Sequence, residues 1–106
     1  METHIFRVIV RGRFAELSDD DRRRLKDEHD PMRLPRFTEV GDFSHDGRPD
    51  FFTYRIQLRQ RAETAAQAAE DAEDTARSVA LADLAARGLG HRDLSLSVRA
   101  MADVWR

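Results

Sequence analysis

The residues of this chain best suited to chemistry are arginines at strand spacing. Arg7 and Arg11 take turns with Ile5 and Ile9, Arg55 and Arg59 with Phe51, Thr53 and Gln57, and Arg99 follows Ser95 and Ser97 at the same period. Side chains two apart on an extended chain share a face, so each set points one way. A guanidinium carries its donors in a planar fork that fits a carboxylate, phosphate or phenolate through two parallel hydrogen bonds. Two uses follow. The face is half-buried against a second copy of the chain, its arginines paired with acids such as Glu39 or Asp93, or it binds a small anion through Arg7, Arg11, Arg55, Arg59 and Arg99.

General acid–base work needs a polar group inside a cleft. Tyr54 falls on the apolar side of its strand between Phe52 and Ile56, where a phenol ordinarily finds one hydrogen-bond partner. His45, Asp50 and His91 lie at strand ends or in loops, where a pocket between sheet and helices can open. These four are the catalytic candidates. Ser44-His45-Asp46 holds the residue types of a hydrolase triad, but three neighbours in a turn do not align as nucleophile, base and orienter, so the run reads as turn chemistry. Serine-elbow, phosphate-loop and His-Glu-x-x-His patterns are absent, and His4, His29, His45 and His91 share no short ligand spacing. No metal and no cofactor is expected. The chain has no cysteine, which removes thiolate catalysis and disulfides.

Six elements position these groups. Ile5–Phe14 is a central strand, with Phe6, Val8 and Val10 on one face and Ile5, Arg7, Ile9 and Arg11 on the other. Ser18 caps a short helix that opens on Asp19, Asp20 and Asp21 and ends near His29, an acid-first order that suits the helix dipole. Its apolar stripe is Leu25 almost alone. Pro31 and Pro35 mark a connection whose Met32 and Leu34 are expected on the core. Phe37–Ser44 reads as an irregular edge strand interrupted by Gly41 and Asp42, and a loop of turn formers leads to a second central strand, Phe51–Gln60. From Ala62 to about Arg87 runs a long alanine-rich helix with Gly88 as its C-terminal stop. Ala66, Ala69, Ala72, Ala76, Val79, Ala80 and Leu84 form its expected core side. Leu94–Arg99 is the fourth strand, and the tail from Ala100 to Arg106, with Met101, Val104 and Trp105, is expected to dock. The order β-α-β-β-α-β is that of the α+β ferredoxin-like fold, a four-stranded antiparallel sheet with both helices on one face, filling residues 1–106 as one domain.

The 106 residues carry 18 basic and 20 acidic side chains, a net charge of −2 that gives no overall pull toward nucleic acid or anionic membrane. The distribution is two-sided, because the first and third strands are basic and acid-free while the long helix is acidic. RNA-recognition motifs share this element order but read bases with aromatics on the open sheet face, and here Phe52 and Tyr54 belong to the apolar side. That pattern argues against nucleic acid as a partner. No apolar run approaches a membrane span, and Met1-Glu2-Thr3-His4 has no basic leader region, so a cytoplasmic location is expected.

Phe6-Arg7-Val8-Ile9-Val10-Arg11-Gly12-Arg13-Phe14, Phe51-Phe52-Thr53-Tyr54-Arg55, Arg87-Gly88-Leu89-Gly90 and Asp103-Val104-Trp105-Arg106 together resemble a family of small uncharacterised proteins of GC-rich bacteria, known as a domain of unknown function. That resemblance spans most of the chain and brings no catalytic residues. The architecture is also similar to the dimeric α+β barrel proteins, which include cofactor-free monooxygenases, polyketide cyclases and isomerases or sensors. This implies a homodimer joined through the helix-free sheet face that binds a small aromatic or anionic molecule. The alternative is a structural or partner-binding module that uses the basic face.

Overall fold

The computed structural model describes residues 2–101; the expected docking of Trp105 lies outside them. Six elements follow in the order β1 (Glu2–Phe14), α1 (Asp19–Glu28), β2 (Asp42–His45), β3 (Phe51–Ala62), α2 (Ala65–Ala86) and β4 (His91–Ala100). The four strands form one sheet in the order β2-β3-β1-β4, every neighbouring pair antiparallel. This is the α+β ferredoxin-like arrangement, with β1 and β3 in the middle.

Alternation on β1 and β3 divides the sheet into two unlike faces. Phe6, Val8, Val10, Phe52, Tyr54 and Ile56 are buried beneath α2. Each such aliphatic or aromatic side chain stabilises the fold by about 1.5–3 kcal/mol through the apolar area it removes from water. On the opposite face the register sets Arg7 between Gln57 and Arg99, Ile9 between Arg55 and Ser97, and Arg11 between Thr53 and Ser95. The one acid the register adds to these rows is Asp42 of β2, opposite Arg55. On β4 a register shift opposite Arg11 and Arg13 accompanies Asp93 at φ 56, the geometry of a bulge.

α2 is capped by the Thr64 side chain, which accepts from the Gln67 amide, and stops at Arg87, where Gly88 takes φ +71 without a Cβ penalty. Its core stripe is Ala68, Ala72, Ala76, Ala80 and Leu84. Ala69 and Val79 pack beside the stripe, whereas Ala66, expected on it, is exposed. A four-residue period advances past one full turn at each step, so the stripe runs obliquely and begins at Ala68. Ala62 ends β3 rather than starting this helix, buried opposite Glu2. Ser18 caps α1 by accepting from the Asp21 amide, and Leu25 is its one buried residue, as its thin stripe implied.

The segment between α1 and β3 departs furthest from the sequence reading. β2 is confined to Asp42–His45 instead of Phe37–Ser44. Thr38 makes an isolated parallel bridge to Ile56, and a turn closed by the Gly41 amide on the Thr38 carbonyl reverses the chain into antiparallel β2. Met32 and Leu34 are 84% and 81% exposed, so they do not fold onto the core. Pro31 and Pro35, each with φ fixed and no amide donor, hold the segment along the outside, at the rim of a cleft rather than against the core.

Candidate functional site

A cleft of about 400 Å³ opens at the junction of the α1 C-terminus, residues 29–35, β2 and the end of α2. Its walls include His29, Pro31, Arg33, Phe43, His45 and Arg87. Four rings run in series through this corner, Tyr54 to Phe43 at 5.2 Å between centroids, Phe43 to His45 at 5.7 Å and His45 to His29 at 5.3 Å. Period-two alternation puts Phe43 and His45 on the same side of β2 as the core residues Tyr54 and Phe52 with which they pair.

Arg87 is held from two directions. Its Nε donates to Asp83 Oδ2 at 2.6 Å, an i,i+4 pair on the last turns of α2, and its guanidinium carbon lies 4.1 Å from the centre of the Phe43 ring. The Tyr54 hydroxyl donates to the same Asp83 oxygen at 2.6 Å. Both terminal nitrogens of Arg87 are without a hydrogen-bond acceptor among the described residues. Burial pushes the Tyr54 phenol well above its ordinary value, the hydrogen bond and charge of Asp83 add to that rise, and nearby Arg87 offsets part of it. Burial also acts to raise Asp83, but the hydrogen bonds from Tyr54 and Arg87 outweigh it and hold the carboxyl below the usual value. Burial disfavours the charge on Arg87, and Asp83 more than restores it. At neutral pH the trio is therefore phenol, carboxylate and guanidinium.

The remaining charges are distributed unequally. Arg33 is paired with Asp42, which also accepts from the Arg36 amide at 2.9 Å. Glu28 and Asp30 stand exposed on the rim, and the charge of Glu28 adds to that of Asp83 in favouring the Arg87 cation. The wall thus offers an oriented cation with free donors, two imidazoles and an aromatic platform. Such a set suits a flat molecule with one anionic end.

The four catalytic candidates are not brought together. His45 lines the cleft; Tyr54 is fully buried behind it and reaches it through its hydrogen bond to Asp83 and its packing on Phe43. Asp50 lines a separate pocket of about 210 Å³ with Arg13, Arg22 and Arg92, and His91 is exposed at the sheet end opposite Phe14. The Ser44-His45-Asp46 run serves its turn, with Asp46 Oδ1 accepting from the Asp50 and Phe51 amides at 2.6 and 3.0 Å. The five sheet arginines line none of the three principal clefts. Arg7 donates to Gln57 and lies over the Phe37 ring, and Arg55 donates to Ser44 Oγ. Glu39 and Asp93 pair with none of them within the chain. Sequence reasoning missed Arg87, Asp83 and His29, although Asp83 and Arg87 at helical spacing beside a C-terminal glycine were a visible signal. Among the described residues no group of three or more His, Asp or Glu gathers as a metal site, and no helix is long and apolar enough to cross a membrane.

Fold and cleft together define a ferredoxin-like α+β domain with one helix-covered and one open sheet face. The chain belongs to DUF6204, a family of unknown function, whose model matches residues 1–105. No curated protein and no solved structure matches the chain.

Proposed function

We propose that this is a homodimeric small-molecule-binding protein of the α+β barrel kind, taking a planar aromatic anion into the cleft between His29, His45 and Arg87. It acts there as a cofactor-independent enzyme of the cyclase, monooxygenase or isomerase type, or as a carrier or sensor. The observation that carries this reading is Arg87. Asp83 fixes it through Nε and Phe43 through its flat face, so the two free nitrogens form an oriented fork at a cleft of about 400 Å³. Small-molecule sites typically span about 300–1,000 Å³, with apolar walls and few polar groups. Calorimetry with benzoate and salicylate tests it. A charge-assisted hydrogen bond is worth about 1.5–3 kcal/mol, so Arg87→Gln should weaken binding by roughly ten- to a hundredfold. Equal affinity in the two proteins defeats the assignment.

The open sheet face supplies the second half of the reading. Ile5, Ile9 and Phe51, the last 46% exposed, give it apolar ground for a second copy. Arg55→Ala with Arg59→Ala removes like charge from that contact and should tighten it, while neither residue lines the cleft. A dimer whose cleft takes none of these anions supports instead a structural or partner-binding module that uses the basic face.

A further inference from the structure

His45 has a feature that anion binding alone does not require. Its Nδ1 lies 2.7 Å from the backbone oxygen of Asp46. A carbonyl oxygen only accepts, so Nδ1 carries the proton and Nε2 keeps its lone pair. The carbonyl is itself fixed, because the Asp46 amide donates to the Phe51 carbonyl at 3.2 Å and its carboxylate holds the Asp50 and Phe51 amides. Phe43, Phe14 and His29 surround the imidazole with ring centroids at 5.7, 6.2 and 5.3 Å, which fixes the ring within the cleft wall. Tautomer and orientation are thus set by the hairpin backbone.

We propose that His45 Nε2 is a general base that removes a proton from an aromatic or enolisable ring whose anionic end rests on Arg87, a step that builds on the cleft reading above. The C–H or O–H proton passes to Nε2, and the bonding pair moves into the ring or adjacent carbonyl as a phenolate or enolate. Return of the proton at another atom completes an isomerisation. In a ring closure, attack of the enolate carbon on a carbonyl within the same molecule forms a C–C bond as the C=O π pair becomes an alkoxide, which takes the proton back from Nε2. Neither route changes the oxidation state, so no redox partner is needed.

The test uses nitrobenzisoxazole, in which a base takes the ring C–H proton while the N–O bond breaks, leaving a nitrile and a coloured phenolate. The probe has no carboxylate, so its binding does not need Arg87, which can act only on the phenolate oxygen as it forms. Positioned general bases contribute about 10²–10⁴-fold, so His45→Gln should lower kcat/KM for the probe by at least about tenfold. Its circular dichroism and thermal unfolding midpoint should match wild type, which shows that the variant folds. Arg87→Gln should lose benzoate and lower turnover of the probe less than His45→Gln does. Turnover unchanged in His45→Gln, or absent in a wild-type protein that binds benzoate, overturns the base. His45-dependent turnover without benzoate binding overturns the Arg87 reading and leaves the base standing.

Discussion

Raising the pH should destabilise this protein through Tyr54. The chain has a single tyrosine, and it is fully buried with its hydroxyl on Asp83 at 2.6 Å. Burial and Asp83 raise the folded phenol well above its ordinary value of 10.0, to which it returns on unfolding. A group raised in the folded state contributes stability that is complete below its unfolded value and is withdrawn as pH climbs past it. At about pH 11 the unfolded phenol is some tenfold in favour of phenolate, which removes about 1.4 kcal/mol relative to neutral pH. Few other groups compete there, because all basic side chains except Lys26 are arginine. Tyr54→Phe should cost about 1–2 kcal/mol at pH 7, toward the low end for a bond to a charged acceptor because Asp83 is 37% exposed and water reoccupies the site. The gap between wild type and Tyr54→Phe should close by about 1.4 kcal/mol between pH 7 and about pH 11. Urea unfolding at both pH values reads the gap, and ultraviolet absorbance reads the phenolate. Ionisation centred near pH 10 in a chain whose circular dichroism remains native refutes the reasoning.

Asp83 gives the opposite limb: its folded value is lowered, so its contribution is present above the ordinary carboxylate value of 3.8 and fades as pH falls through the folded one. Asp83→Asn should flatten the acid side of the stability profile, measured by thermal unfolding. Gly12→Ala should destabilise by about 1–3 kcal/mol in denaturant unfolding, because a Cβ there meets the Phe52 ring at 2.6 Å and the ring is locked in the core. Light scattering against salt separates two modes of self-association. Open faces meeting each other bring arginine against arginine, so added salt should tighten that dimer by screening, whereas acidic α2 on a basic sheet should loosen.

Much of the fold was legible because its determinants are local and periodic. Two-residue alternation on β1 and β3 fixed which residues lie under α2, and Gly88 marked where that helix stops. The 30–41 segment was not legible, because hydropathy puts Met32 and Leu34 inward, whereas Pro31 and Pro35 carry the segment along the rim of a cleft. For the site, His45 was legible as a polar residue at a strand end. Arg87 was not, since its role depends on Phe43 and Tyr54, which lie 44 and 33 positions away in sequence and meet it only in the fold. The sheet arginines drew attention through their spacing, yet spacing alone does not distinguish a ligand wall from a face awaiting cover.

Amide and histidine-ring chemical shifts recorded during a benzoate titration test the central claim most directly. The account requires saturable shifts at His29, Phe43, His45 and Arg87, with the open sheet face unmoved. Saturable shifts confined to Arg7, Arg55 and Ser97 contradict it and transfer anion binding to the sheet.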